Sequence, residues 1–186
     1  MKLELFDFID ETLSILDKNS NKINDVAVEL EKFFNDSFFI KDHFQNVNYR
    51  IKSAESLKEK ILRYNFYVKY ETPQNLLRDL SDLIGFRIEC RFAEDEGKIY
   101  KDILELFKIE EEDGYYSNHL NSAISLKLDD KQPQKQKNGF EIYKMDGKYK
   151  KDDIEINFEL QIKSLVNVFW GEIDHRVLYK NFNYML

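Results

Sequence analysis

Apolar side chains recur at helical spacing over residues 3–39, at Phe6, Ile9, Leu13 and Leu16 and then at Ile23, Val26, Val28, Leu30, Phe33 and Phe34. A polar break at Asn19, Ser20 and Asn21 makes this two helices, or one interrupted. The same period returns over Ala54 to Tyr67, through Leu57, Ile61, Leu62 and Phe66, behind a polar start at Ser53 and Ser56. Pro73 closes the next connection. Leu76, Leu77 and Leu80 then predict a short helix leading into an alternating run from Ile84 to Phe92, read as the first strand. Asp95 to Phe107, with Ile99, Ile103, Leu104 and Phe107 on one side, predicts an amphipathic helix packed on that strand. Ala123 to Leu128 alternates weakly as a strand, and the polar stretch Lys131 to Asn138 reads as a mobile loop. Phe140 to Met145 and Ile154 to Ile162 read as a hairpin about an Asp146-Gly147 turn. Leu165 to Leu178 predicts a last helix with Val168, Phe169, Ile173 and Val177 inward. Helices first, then strands mixed with helices, give an α+β fold with a mixed, largely antiparallel sheet of about five strands flanked by helices.

Composition narrows this picture in three ways. A length of 186 residues, 42% of them hydrophobic and 15% aromatic, suits one domain with a single core and excludes a disordered chain. The lone Cys90 lies inside an apolar run, which predicts a reduced, buried thiol in a cytoplasmic protein. No run approaches the length of a membrane span, and the acidic start lacks the basic flank of a signal peptide, so neither insertion nor export is expected. A net charge of −7 argues against general nucleic-acid binding, so a phosphate ligand requires a locally basic pocket.

Three runs supply candidates for such a pocket. In the first, Ser56 and Lys60 lie one turn apart on a helix whose entrance carries Arg50 and Lys52 from the preceding loop, an arrangement suited to anions. In the second, Ser81-Asp82-Leu83-Ile84-Gly85-Phe86-Arg87, an acid able to hold Mg²⁺ and an arginine able to stack on a base or grip a phosphate bracket a strand entry. In the third, Glu159, Gln161 and Lys163 share one strand face opposite the apolar set, ahead of the segment Trp170 to Lys180 that contains His175. Taken alone, each run also suits a solvated charged surface.

Together the runs resemble the synthetase domain of the RelA/SpoT family. That family carries an Arg-x-Lys…Ser…Lys helix start, an Asp-x-x-Gly-x-Arg strand entry, a Glu-[Ile/Val]-Gln-Ile-[Arg/Lys]-[Thr/Ser] strand and a Trp-[Ala/Gly]-x-x-[Glu/Asp]-His-x-x-x-Tyr-Lys helix. All four occur here in that order over residues 50–180, with Leu160 the one conservative change in the third. The resemblance implies a nucleotidyltransferase-like fold with an N-terminal helical segment (residues 1–45) packed on a synthetase domain (46–186). It also implies a GTP pyrophosphokinase that uses Mg²⁺, ATP and GDP or GTP. By matching position, Arg50 and Arg87 would contact the ATP base or phosphates, and Lys52, Ser56 and Lys60 the triphosphate. Asp82 and Glu159 would bind Mg²⁺, Glu159 would also accept the 3′-hydroxyl proton, and Gln161 and His175 would support the site. With only His43, His119 and His175 in the chain and no helical His-Asp metal motif, no hydrolase partner domain and no metal beyond Mg²⁺ are expected.

The guanine site departs from the family. Its Gly-Tyr-x-Ser-x-His run is matched in letters by Gly114-Tyr115-Tyr116-Ser117-Asn118-His119, which lies well before the Glu159 strand. In the hairpin strand that should pair with Glu159 stand Asn138, Gly139 and Phe140 instead, with Lys144 where the histidine would fall. Strand pairing fixes position more firmly than a short letter match, so the second placement is preferred, with Phe140 stacking on guanine and Asn138 beside it. The altered motif keeps two other readings open: a regulatory module that binds guanine nucleotide without turnover, and a pyrophosphokinase acting on tRNA, whose larger acceptor the lysines of residues 131–151 would suit. A homo-oligomer is admitted, and the apolar end Asn183-Tyr184-Met185-Leu186 leads to the expectation that the natural protein continues further.

Overall fold

In the computed structural model the described residues are 4–38, 41–136, 139 and 141–173, the side chain of Glu172 excepted. Helices α1 (Leu5–Lys18) and α2 (Ser20–Phe38) open the chain and lead into strand β1 (Phe44–Ile51). Helices α3 (Ala54–Arg63), α4 (Phe66–Lys69) and α5 (Pro73–Asp79) follow, then β2 (Ile84–Cys90) and α6 (Ala93–Leu106). Strands β3 (Ile109–Glu110), β4 (Tyr115–Ser117), β5 (Ile124–Lys127) and β6 (Gln134–Lys135) precede the long pair β7 (Glu141–Lys151) and β8 (Ile154–Ser164), and α7 (Leu165–Ile173) closes the described chain.

The sheet runs β1-β2-β8-β7-β5-β4-β3, with β6 paired to β7. Every neighbouring pair is antiparallel except β2–β8, which is parallel. The crossover from β2 to β8 therefore brings two sequence-distant strands side by side in the middle of the sheet. Phe86 and Phe158 of these strands pack edge to face and meet Phe34 of α2, with ring centroids 5.7–6.3 Å apart. Each such buried ring contributes about 2–3 kcal/mol of burial free energy. Helices α1, α2 and α6 share this core with the sheet.

Several expectations are corrected. The first strand is β1, not the run at Ile84; Val47, Tyr49 and Ile51 alternate, but a register shift between Phe44 and Asn46 puts Phe44 out of phase with them. Arg50 thus belongs to a strand rather than a loop. On α1 and α2 the buried face includes Phe8 and Ala27, while Phe6 and Val28 face solvent. Thr12 on that face is fully buried because its hydroxyl donates to the Phe8 carbonyl at 2.6 Å. The helix from Ala54 ends at Arg63, since Asn65 adopts a left-handed conformation (φ 52°) before α4.

The expected Asp146-Gly147 turn is mid-strand. Gly147 lies opposite Phe158, and the hairpin turns instead at Asp152-Asp153, between paired Lys151 and Ile154, with Asp152 at φ 53°. Within the stretch expected as a mobile loop, β6 lies along β7, with Gln134 paired to Ile142 and Lys135 to Glu141. On α7, Phe169 points outward at 62% exposure, so that part of the inward face is not formed; Val177 lies outside the described residues. Cys90 is buried with its thiol pushed up to about 12, first by burial and then by neighbouring acids. No described helix is long and apolar enough to cross a membrane.

Candidate active site

Strands β1, β2, β8 and β7 put one set of side chains into the core, and register aligns the alternate set into rows across the opposite face. One row runs Arg50, Gly85, Glu159, Asp146; the next runs Asn48, Arg87, Gln161, Lys144. Because side chains alternate along each strand, all of these share a face. Gly85 leaves the space over which Arg50 lies: a Cβ there would sit 3.6 Å from the Arg50 Nε. Asn48, Arg50, Arg87, Glu159 and Gln161 line a cleft of about 140 Å³.

A second cleft, of about 390 Å³, adjoins it at the entrance of α3 and is lined by Lys52, Ser56, Glu59, Lys60, Arg63, Tyr64 and Asp82. Ser53 caps α3, accepting from the Ser56 N–H at 3.2 Å, and its hydroxyl donates to Ser56 Oγ. The backbone N–H of Lys52 donates to the Leu83 carbonyl at 2.9 Å, which fixes Lys52 beside the strand entry. Lys52 and Lys60 both reach Oδ2 of Asp82, each at 2.8 Å. Burial opposes ionisation of Asp82, but the two ammonium groups outweigh it and hold the carboxyl below its usual value. Its other oxygen, Oδ1, is buried and has no partner among the described residues.

The two clefts are joined electrostatically through Lys144. Its Nζ lies 2.6 Å from Oε2 of Glu159, and the fields of Asp146 and Asp82 also act on it. Burial alone would lower the Lys144 pKa; the bond to Glu159 and these acids raise it. Gln161 donates to the other oxygen of Glu159. Asp146, directly across from Glu159, is raised by burial and by Glu159 against the pull of Lys144. Lys163 is lowered by burial first, then by Arg87.

Eight of the residues singled out from the sequence therefore stand around the two clefts: Arg50, Lys52, Ser56, Lys60, Asp82, Arg87, Glu159 and Gln161. Asn138, Phe140 and His175 lie outside the described residues. The letter match Gly114 to His119 forms β4 and a turn separated from β7 by β5. Its Asn118 is buried and spends its amide on the backbone of Leu120, Asn121 and Ile124, while Lys148 lies 3.9 Å over the Tyr115 ring. Sequence reasoning missed Asn48 and Asp146. The alternation Val47, Tyr49, Ile51 was the available signal for Asn48, while Asp146 was hidden by its reading as a turn.

Among the described residues no cluster of three or more His, Cys, Asp or Glu could hold a metal alone. The orphaned Asp82 Oδ1 and the Glu159 carboxylate are hard oxygen donors, the type Mg²⁺ uses when substrate phosphates complete its shell.

The fold is shared with solved structures. A GTP pyrophosphokinase family protein from Streptococcus pneumoniae superimposes with a TM-score of 0.62 at 23% identity, over 91% of this chain and 77% of that one. Small alarmone synthetase 1 from Bacillus subtilis bound to its product pppGpp gives 0.61 at 19% identity, over 92% and 83%. The same synthetase bound to AMPCPP gives 0.56 at 19%, over 90% and 78%. No curated protein sequence matches. The family model described as the region found in RelA / SpoT proteins matches residues 49–184, which hold every residue lining the two clefts except Asn48, and the chain belongs to that family.

Proposed function

We propose that this sheet face is the active site of a Mg²⁺-dependent pyrophosphokinase that moves the β,γ-pyrophosphoryl group of ATP to the 3′-hydroxyl of GDP or GTP, giving (p)ppGpp and AMP. The observation that carries the reading is the gathering of Arg50, Lys52, Lys60 and Arg87 with the carboxylates of Asp82 and Glu159 around two adjoining clefts. Pyrophosphoryl transfer asks mainly for positioning and charge stabilisation, which this set supplies. The pppGpp and AMPCPP held by the similar Bacillus subtilis synthetase support the same substrate class here.

Lys52, Ser56 and Lys60 bind the triphosphate at the mouth of α3, and Arg50 and Arg87 stack on the adenine or grip its phosphates. Asp82 and Glu159 hold the Mg²⁺, which neutralises phosphate oxygens when bound. Glu159, oriented by Gln161, accepts the proton of the 3′-hydroxyl as its oxygen attacks the β-phosphorus. The bond from that phosphorus to the α–β bridging oxygen breaks, and AMP leaves. Phe140 and Asn138 take the guanine side, and His175 supports the site.

Incubating the protein with labelled ATP, GDP or GTP, and Mg²⁺ tests this: labelled ppGpp or pppGpp is the expected product, and its absence from folded protein removes the proposal. The ammonium of Lys144 on Glu159, where the family has a histidine, favours a second reading as a nucleotide-binding module without turnover. Calorimetric GDP binding with no product would select it. Label appearing on tRNA instead would identify the acceptor as nucleic acid.

A further inference from the structure

Both carboxylates assigned to Mg²⁺ are already neutralised by lysines, but in different ways. On Asp82 the two ammonium groups share Oδ2 and leave Oδ1 open. On Glu159 each oxygen already has a partner: Lys144 takes Oε2 at 2.6 Å and Gln161 takes Oε1. Lys144 is held there by its backbone. Its N–H donates to Gln132 Oε1 at 3.0 Å, and its carbonyl accepts from Gln132 Nε2 at 2.7 Å and Gln134 Nε2 at 3.0 Å. Two glutamine side chains thus do what a neighbouring strand would do, and the register with Gln161 sets the side chain beside Glu159. The acids whose fields act on the ammonium are Glu159, Asp146 and Asp82, the last already shared by Lys52 and Lys60.

We infer that Lys144 is a built-in counter-ion that occupies the cation position at Glu159 in the empty site and excludes a divalent cation from that carboxylate until nucleotide brings one in. The inference rests on the reading of Glu159 as a metal ligand. An ammonium at hydrogen-bond distance of a carboxylate that is only 13% exposed gives the metal a competitor that must be displaced before it can coordinate. Bulk Mg²⁺ therefore does not load this carboxylate ahead of substrate. Asp82 Oδ1 remains the only partnerless carboxylate oxygen, among the buried side-chain atoms of the described residues, from which loading can begin. Lys144 is a positioning residue in this account, acting through Glu159.

The test is Mn²⁺ binding to the full chain without nucleotide, followed by electron paramagnetic resonance. Lys144→Met, which keeps an unbranched side chain one atom shorter and removes its charge, should tighten Mn²⁺ by about tenfold, the size of a modest charge-pair coupling. Lys144→Arg keeps the cation and should bind Mn²⁺ as the parent chain does. Lys144→Met combined with Glu159→Gln should lose the gain. Unchanged Mn²⁺ affinity in Lys144→Met, or a gain that survives Glu159→Gln, overturns the inference. Circular dichroism identifies a misfolded Lys144→Met, in which case Glu159→Gln alone decides: in the parent background it should leave Mn²⁺ affinity unchanged, and a clear loss refutes the competition. Because the readout is metal binding without turnover, it decides this point whether or not pyrophosphoryl transfer is observed.

Discussion

The ring of Phe158 covers Gly147 so closely that a Cβ on the glycine would fall 2.3 Å from its Cζ. The two residues face each other across the β7–β8 pair, and the ring is fully buried. Gly147→Ala must push the ring into a close-packed core that includes Phe34 and Phe86, at a cost of about 1–3 kcal/mol. Denaturant unfolding should show that loss. Phe158→Leu in the same chain should recover part of it, giving a non-additive double-mutant cycle.

Asp82 links stability to pH. Its folded-state pKa lies below the ordinary 3.8, so its stabilising contribution is fully present above that value and is lost as pH falls through the lower, folded value. Asp82→Asn lacks the contribution at every pH. The stability gap between the parent chain and Asp82→Asn should be constant near neutrality and close below about pH 4. A gap that widens with acid would contradict this.

Glu159→Gln keeps the shape of the side chain and removes its capacity to accept a proton. Product formation should fall by at least about a hundredfold, while binding of a non-hydrolysable ATP analogue is largely kept. Loss of analogue binding in proportion to activity would assign Glu159 to substrate affinity instead.

Lys163 carries its cation at a cost to the fold. Burial and the neighbouring Arg87 lower its pKa, so its charged form is disfavoured in the empty site. Lys163→Met should raise the unfolding temperature and weaken binding of nucleoside triphosphate. Higher stability with unchanged nucleotide affinity would leave Lys163 without a role at the site.

The sequence carried the site better than the architecture around it. Short motifs at Arg50, Asp82 and Glu159 were legible because they match runs of the family in order, and α3, α5 and α6 because their apolar spacing is regular. Strand β1 was not legible: beyond the irregularity between Phe44 and Asn46 only Val47, Tyr49 and Ile51 alternate, and its pairing with β2 is a tertiary fact. Gly147 was misread for a related reason. An Asp-Gly pair signals a turn locally, but here the glycine is required by a ring on the next strand, which no local pattern contains. The placement of Lys144 beside Glu159 depended on strand register, which no short run of letters contains.

The parallel seam between β2 and β8 also governs when the constellation comes into being. A nascent chain that has completed β1, α3 and β2 already contains Arg50, Lys52, Lys60 and Arg87, but Glu159 arrives only with β8. Long-range pairing of this kind forms late. Polypeptides still emerging from the ribosome therefore carry Arg50, Lys52, Lys60, Asp82 and Arg87 without Glu159, and the constellation is complete only when synthesis has passed β8.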